Sequence, residues 1–411
     1  MAMTIKHDEI SLTSSKLLDL YWECLCENGY VGFLDRDIDV TRHQLTDIEI
    51  DVLHGDISWI FEASDDELIR VVRSSREPPL AVAALDKLIP FRQHVISAAQ
   101  DLVADIAPPR MAKQCELYFD EVKLFASVVP LLPSLDFPAA VCLAAGLSTA
   151  ACEPVAVAML LYYLGISLFD DVIDHDLTSM WSAFAESEVL LTAMFLSIGP
   201  PLLAIERRCG RGRLHAFASS AFHLAFMQCN KGQFLDVSLR PQVSMSLDVP
   251  QMVVALKTGS TGRLAAQLGA VLAQHDDESV TKFGKFGLEL YSAMQLASDV
   301  ADIWANPISS DLKNGIATLP VVCAYQNLSD GNLKRLSSLI ESKSTSESEH
   351  AEMRTIMSKS GSLRYCLLRI ELLRRSAERH IDLAGLDPAR RLLLEYASTS
   401  CRLLMPRRSD T

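Results

Sequence analysis

From Phe137 to Phe169 the chain is almost continuously apolar, broken mainly by Glu153-Pro154, and it runs straight into Asp170-Asp171-Val172-Ile173-Asp174. This junction constrains the fold more than any other feature of the sequence. A run of that length suits a membrane hairpin, since a span needs about 20 apolar residues. Its first half, however, is rich in Ala, Gly, Cys and Ser, which suits close helix packing, and the remainder of the chain shows no comparable run. A buried helical hairpin is the better expectation. On a helix, Asp170 and Asp174 share one face a turn apart, and Asp171 and Asp174 are neighbours. Like charges so placed destabilise a helix unless a cation sits between them. Carboxylates at the mouth of an apolar pocket are a usual Mg²⁺ environment, because Mg²⁺ is a hard cation that keeps waters and substrate phosphates. A solvated helix end is the plainer alternative.

The rest of the chain agrees with a helical protein. Its 411 residues hold 18 glycines and 17 prolines, short of the roughly 49 that average usage would give. Apolar helical periodicity recurs over about 215–235, 250–274, 279–304, 311–328 and 362–403, and strand-like alternation is scarce. The fold class expected is therefore all-α. Ser64-Asp65-Asp66-Glu67 reads as a capping box, inside a helical N-terminal extension over 1–115 that carries no chemical motif. The main domain is expected over 116–405, with a tail at 406–411. The polar stretch Ser342 to Glu349 reads as a solvated loop.

With 49% hydrophobic residues the chain has ample material for a core, which excludes disorder. Its net charge of −14 makes it a poor nucleic-acid binder. The ten cysteines include no CxxC, the Cys24 and Cys26 spacing suits no zinc or redox motif, and the N-terminus lacks a signal-peptide core. A cytoplasmic, reducing location is expected, with no transmembrane segment.

A second acidic group, Asp299 and Asp302 in Gln295-Leu296-Ala297-Ser298-Asp299-Val300-Ala301-Asp302, lies on one helix face. Between the two groups stand Gly232-Gln233-Phe234-Leu235-Asp236 and Lys257-Thr258-Gly259; Asp311 to Pro320 reads DLKNGIATLP. Lys257 can act as a point charge on a diphosphate or be a solvated lysine. Gln233 and Asp236 can orient metal waters or a ligand, or simply occupy a helix surface.

Taken in order, these motifs resemble the trans-isoprenyl diphosphate synthase, or polyprenyl synthetase, family. The resemblance covers about residues 120–330. It implies the class I isoprenoid (terpenoid) synthase fold, a helical bundle around a deep apolar pocket, and a homodimer. It makes Asp170, Asp171 and Asp174 Mg²⁺ ligands, with Asp299 and Asp302 serving the opposite metal site and three Mg²⁺ ions bridging to a prenyl diphosphate. Lys257 and Lys313 would contact diphosphate, joined by Thr258 and Gln233 in the substrate site. In this family, bulk four, five or eight residues before the first motif shortens the pocket. Those positions here are Ile166, Gly165 and Tyr162, compatible with a C15 or C20 substrate. Candidate aromatic partners for a carbocation are Tyr162, Tyr163, Phe169, Phe226, Phe234, Tyr291 and Trp304.

Two departures from the family pattern shape the functional expectation. Ser298 stands where a metal-binding aspartate is usual. No Lys or Arg occurs between Lys123 and Arg207, where chain-elongating members carry the basic residues that hold isopentenyl diphosphate. The leading expectation is therefore a Mg²⁺-dependent terpene synthase, a lyase that ionises one prenyl diphosphate and releases a hydrocarbon or alcohol. The alternatives are a prenyltransferase, either chain-elongating or using a neutral acceptor, and a non-catalytic subunit of a heteromeric synthase.

Overall fold

The computed structural model of the chain describes residues 60, 63–74, 88–128, 132–174, 177–381, 393 and 396–397. Asp176, Pro78-Pro79, the tail at 406–411 and most of the final helix expected beyond 381 lie outside the described residues. Those described form helices and no strand. In chain order the helices are α1 (Asp65–Ser74), α2 (Ile89–Ile106), α3 (Pro109–Val128), α4 (Pro133–Ala144), α5 (Thr149–Ile173), α6 (Glu186–Cys209) and α7 (Arg213–Ser238). Then come α8 (Asp248–Val254), α9 (Ser260–Leu272), α10 (Asp277–Ala305), α11 (Ser310–Asn314), α12 (Leu319–Asn327), α13 (Asp330–Glu341), α14 (Glu347–Ser358) and α15 (Ser362–His380).

The apolar run forms the expected hairpin of α4 and α5, and Val155 to Tyr162 is buried without interruption. The expectation that no other run compares with it is corrected by α6, which is as long and apolar as α5. By length and composition both could cross a membrane. Each instead spends an apolar face on the bundle: α5 packs along α6, α4 and α2. Gly165 marks the closest approach of α5 to α6. A Cβ there would lie 2.3 Å from Ser197 Oγ and 2.7 Å from the Ala193 carbonyl oxygen.

The N-terminal helices are part of this bundle. Val95, Ile96, Cys115 and Phe119 belong to the same buried cluster as α5 and α10. The expected boundary at 115/116 falls inside α3. Arg92 and Asp136 explain the continuity. Both are fully buried and joined at 2.6 Å, with Arg92 also donating to the Ala126 carbonyl and Asp136 accepting from the Leu132 N–H. One ion pair thus ties α2, α3 and α4 together. The capping box at Ser64 and Glu67 forms as expected, with Ser64 N–H donating to Glu67 at 2.8 Å.

Three expected elements differ in detail. The 250–274 helix contains a π-helical turn at Ala255–Gly259. The 311–328 helix is two helices, because the chain turns through Gly315 at φ +65°. The polar stretch yields its end to α14, whose first turn holds Glu347 and Glu349, a favourable place for acidic side chains beside the helix dipole.

Candidate active site

Lys257 sits in the π-helical turn, a local widening that frequently marks functional positions in helices. Gly232 lets α7 lie directly against it, for a Cβ there would meet the Lys257 backbone nitrogen at 2.5 Å. That approach brings Asp236, one turn along α7, to Lys257. The ammonium Nζ lies 2.9 Å from Asp236 Oδ2 and 3.0 Å from Asp170 Oδ1. Burial works against the charged lysine, but the two carboxylates outweigh it and hold its pKa well above the ordinary lysine value.

Two cavities meet at Lys257 and Gln295. The first, of about 120 Å³, is lined by Tyr163, Ile166, Phe169 and Phe226 on its apolar side. Its other wall carries Asn230, Gln233, Thr258 and Thr261, so it is less apolar than the expected pocket. Gln233 is 95% buried and neither end of its amide has a protein partner. The second cavity, of about 80 Å³, is acidic: Asp174, Asp236, Asp299 and Asp311 line it together with Ser310 and Asn314. Thr258 Oγ1 donates to Gln295 Oε1 at 2.8 Å, and Gln295 Nε2 donates to Asp299 Oδ1 at 2.8 Å, linking the two cavities. Burial pushes the Asp299 carboxyl up to about 7, with Asp236 adding to the effect against the pull of Gln295. Asp311 is raised well above the ordinary carboxyl value by burial and by Asp299, Asp302 and Asp236.

The structure therefore gathers Asp170, Lys257, Thr258, Gln233 and Ile166 around one cavity and Asp174, Asp299 and Lys257 around the other. Asp171 is half-buried and lies outside both linings. Four expected site residues are placed elsewhere. Gly165 faces α6, where the helices touch. Tyr162 is buried behind the cavity, edge-on to Phe222 at 5.4 Å between ring centroids. Lys313 is exposed and lines neither cavity.

Asp302 turns to the chain that follows it. It accepts from Asn306 Nδ2 at 2.8 Å and from the Asp311 N–H at 3.1 Å, and also from Ser309 and Ser310. Of the aromatic candidates, Tyr163, Phe169 and Phe226 reach the cavity, Phe234 is exposed, and Tyr291 and Trp304 are core. Asp311 and Gln295 were not singled out by the sequence reasoning. The signal for Gln295 was available, as it stands one helical turn before Asp299.

Among the described residues, no three His, Cys, Asp or Glu side chains converge closely enough to hold a metal ion by themselves. The donor set nevertheless fits Mg²⁺, being all carboxylate, partly buried and short of positive charge, with room for water or phosphate oxygens to complete the shell.

Fold and site together define an all-α class I terpenoid synthase architecture: a bundle whose acidic mouth adjoins a somewhat larger cavity with aromatic side chains on one wall. In solved structures the same fold occurs in a polyprenyl synthetase from Streptomyces coelicolor A3(2), with TM-score 0.67 and 20% identity, covering 78% of this chain and 99% of that one. It occurs also in a geranylgeranyl pyrophosphate synthase from Corynebacterium glutamicum complexed with isoprenyl diphosphate and magnesium, with TM-score 0.62 and 18% identity, covering 79% and 99%. The polyprenyl synthetase family model matches residues 140–357, and the chain belongs to that family. A curated relative, the geranylgeranyl diphosphate synthase of Mycobacterium tuberculosis, is 31% identical over 192 residues, 43% of this chain and 53% of that protein. The chain spans about half the length of the curated relatives it matches.

Proposed function

We propose that this chain is a Mg²⁺-dependent prenyltransferase whose donor is a linear allylic prenyl diphosphate, and that it extends the donor with isopentenyl diphosphate. The carrying observation is the pair of cavities meeting at Lys257, one acidic and one with an apolar wall of Tyr163, Ile166, Phe169 and Phe226, which matches a ligand with an anionic head and an apolar tail. Similarity to named prenyl diphosphate synthases supports chain elongation over the lyase reaction favoured by the sequence alone. Mg²⁺ held by Asp170, Asp174 and Asp299 with Asp236 nearby would supply Lewis-acid stabilisation of the leaving diphosphate.

The chain's own groups have distinct tasks. Lys257, placed between Asp170 and Asp236, would donate to diphosphate oxygens. Thr258 and Gln233 orient the head group. The rings of Tyr163, Phe169 and Phe226 face the allylic cation, each contributing about 0.5–2 kcal/mol.

A terpene synthase remains the second reading, favoured by one observation. The basic residues flanking the gap are engaged elsewhere: Lys123 with Gln100, Arg207 with Asp105 and Arg208 with Glu153. Arg208 meets Glu153 near the start of α5, about 25 Å along the helix from Asp170 at 1.5 Å per residue. Incubation with Mg²⁺ and C10 to C15 allylic diphosphates separates the two. Longer diphosphates that require isopentenyl diphosphate support elongation. Volatile hydrocarbon or alcohol from the allylic substrate alone would sink it.

We further propose a homodimer. Leu191, Met194 and Ile198 on α6 and Leu224 and Met227 on the adjacent α7 form an exposed apolar face, of the kind that marks an interface. Light scattering should return twice the 45.3 kDa chain mass; a monomer would remove this proposal. The described cysteines are all free, which supports a reducing, cytoplasmic location.

A further inference from the structure

The segment 306–311, which leads from the end of α10 into the first turn of α11, presents Ser310 and Asp311 to the acidic cavity. Within it, Ser309 caps α11 by accepting the Leu312 N–H at 3.1 Å. Ile308, the segment's one large apolar side chain, is exposed, so apolar burial does not fix the segment there. Its backbone is instead held by polar groups from two sides. From α10, Asp302 accepts from Ser309 Oγ and from the backbone N–H groups of Ser310 and Asp311, at 3.3 and 3.1 Å for the latter two. From the opposite side come two residues one turn apart on α14. Arg354 Nη1 donates to the carbonyls of Asn306 at 2.9 Å and Pro307 at 3.1 Å, just beyond the end of α10. His350 accepts the Ser309 N–H on Nδ1 at 3.1 Å.

The His350 contact fixes its chemical state. A backbone N–H can only donate, so Nδ1 is the acceptor and Nε2 carries the hydrogen. That hydrogen goes to the Ser344 carbonyl at 2.9 Å. His350 and Ser309 are both completely buried. Loss of the Nδ1 acceptor would leave the Ser309 N–H buried and unpaired, which favours movement of the segment toward water.

We propose that His350 and Arg354 are positioning residues: they hold the 306–311 segment so that Asp311 faces Asp174 and Asp236 across the mouth. This rests on the reading of the mouth as the site for Mg²⁺ and diphosphate. The two residues touch no substrate and act only through the backbone they fix. The arrangement couples the polar loop before α14, through Ser344 and the imidazole, to one wall of the mouth.

Two readouts test this on the full chain. Asparagine places an acceptor where Nδ1 lies, whereas glutamine reaches only toward the position of Nε2. Hydrogen–deuterium exchange should therefore accelerate about tenfold at the amides of 306 and 308–311 in His350→Gln and Arg354→Met. It should stay near wild type in His350→Asn, with α5 and α7 unchanged throughout. Calorimetry with Mg²⁺ and inorganic diphosphate should show binding weakened several-fold in His350→Gln and Arg354→Met, and restored in His350→Asn.

Unchanged exchange at 306–311 overturns the inference. So does acceleration spread over the whole bundle, or local acceleration with wild-type binding. Arg354→Met carries the test if His350→Gln does not fold. Failure of the wild-type chain to bind Mg²⁺ and diphosphate would instead refute the reading of the mouth.

Discussion

Lys257 holds two carboxylates that the proposed reaction needs for a metal. Its removal therefore has opposite effects on two measurements. Lys257→Met should lower turnover about a hundredfold, the usual scale for losing a preorganised donor to a leaving group. It should also tighten Mg²⁺ binding in the absence of substrate, because Asp170 and Asp236 lose their competing ammonium. Calorimetry and steady-state kinetics on the same preparation check both.

Asp299 offers a second measurement at this scale. Its carboxyl sits at about 7 in the folded chain against an ordinary value of 3.8. The folded state thus holds a proton that the unfolded state releases, so this group's contribution to stability is lost as pH rises from about 4 to about 7. With chelator present, wild type should lose more stability than Asp299→Asn over that interval, as read by denaturant melts at several pH values. Equal losses would contradict the shift.

The residues named in the sequence were legible to different degrees for physical reasons. Asp170, Asp174 and Lys257 carry charge at motif positions and could be placed on faces by helical periodicity. Asp302 shares a helix face with Asp299, and periodicity cannot distinguish them. Only the turn after α10 shows that Asp302 spends its oxygens on backbone and hydroxyl donors.

At the level of elements, the crossing of α5 and α6 governs what a substitution near the first motif does. Gly165 looked from the sequence like a position that sets pocket depth. Its neighbours on α6 leave no space for a Cβ. Gly165→Val should therefore destabilise the fold by about 1–3 kcal/mol, as overpacking generally does, without shortening the product. Ile166 does line the cavity, and Ile166→Ala should shift the product distribution toward longer chains. Thermal melts and chromatography of the extracted products separate the two effects. The hairpin, the long helices and the first cap were readable because they rest on runs of apolar residues and on a local capping pattern. The π-helical turn at Lys257 was not, since it arises from packing of α7 and α10 against that stretch rather than from its own propensities.

Considered as a whole, the molecule is more continuous than its sequence suggested. No motif links residues before 116 to the remainder, yet α2 and α3 share the core with α5. The bond that ties α2 and α3 to α4, which sequence could not reveal, is the Arg92–Asp136 pair, 44 positions apart. Arg92→Leu leaves Asp136 buried without its partner and should cost about 3–5 kcal/mol, measurable by urea denaturation of the full chain. A truncated chain starting near residue 116 is accordingly expected not to fold.

The distribution of charge follows the same logic across the molecule. A chain of net charge −14 can hold an anionic substrate only where metal or placed cations reverse the local sign. The mouth gathers the carboxylates that a divalent metal requires around one lysine.

The central claim is that the cavities meeting at Lys257 divide one substrate into a head and a tail. A crystal structure with Mg²⁺ and an unreactive thio-analogue of an allylic diphosphate tests it most directly. The account requires the diphosphate between Lys257 and the carboxylates of Asp170, Asp174 and Asp299, with the prenyl tail against Tyr163, Ile166 and Phe226. A diphosphate bound away from Lys257, or a tail lying outside that cavity, would contradict it.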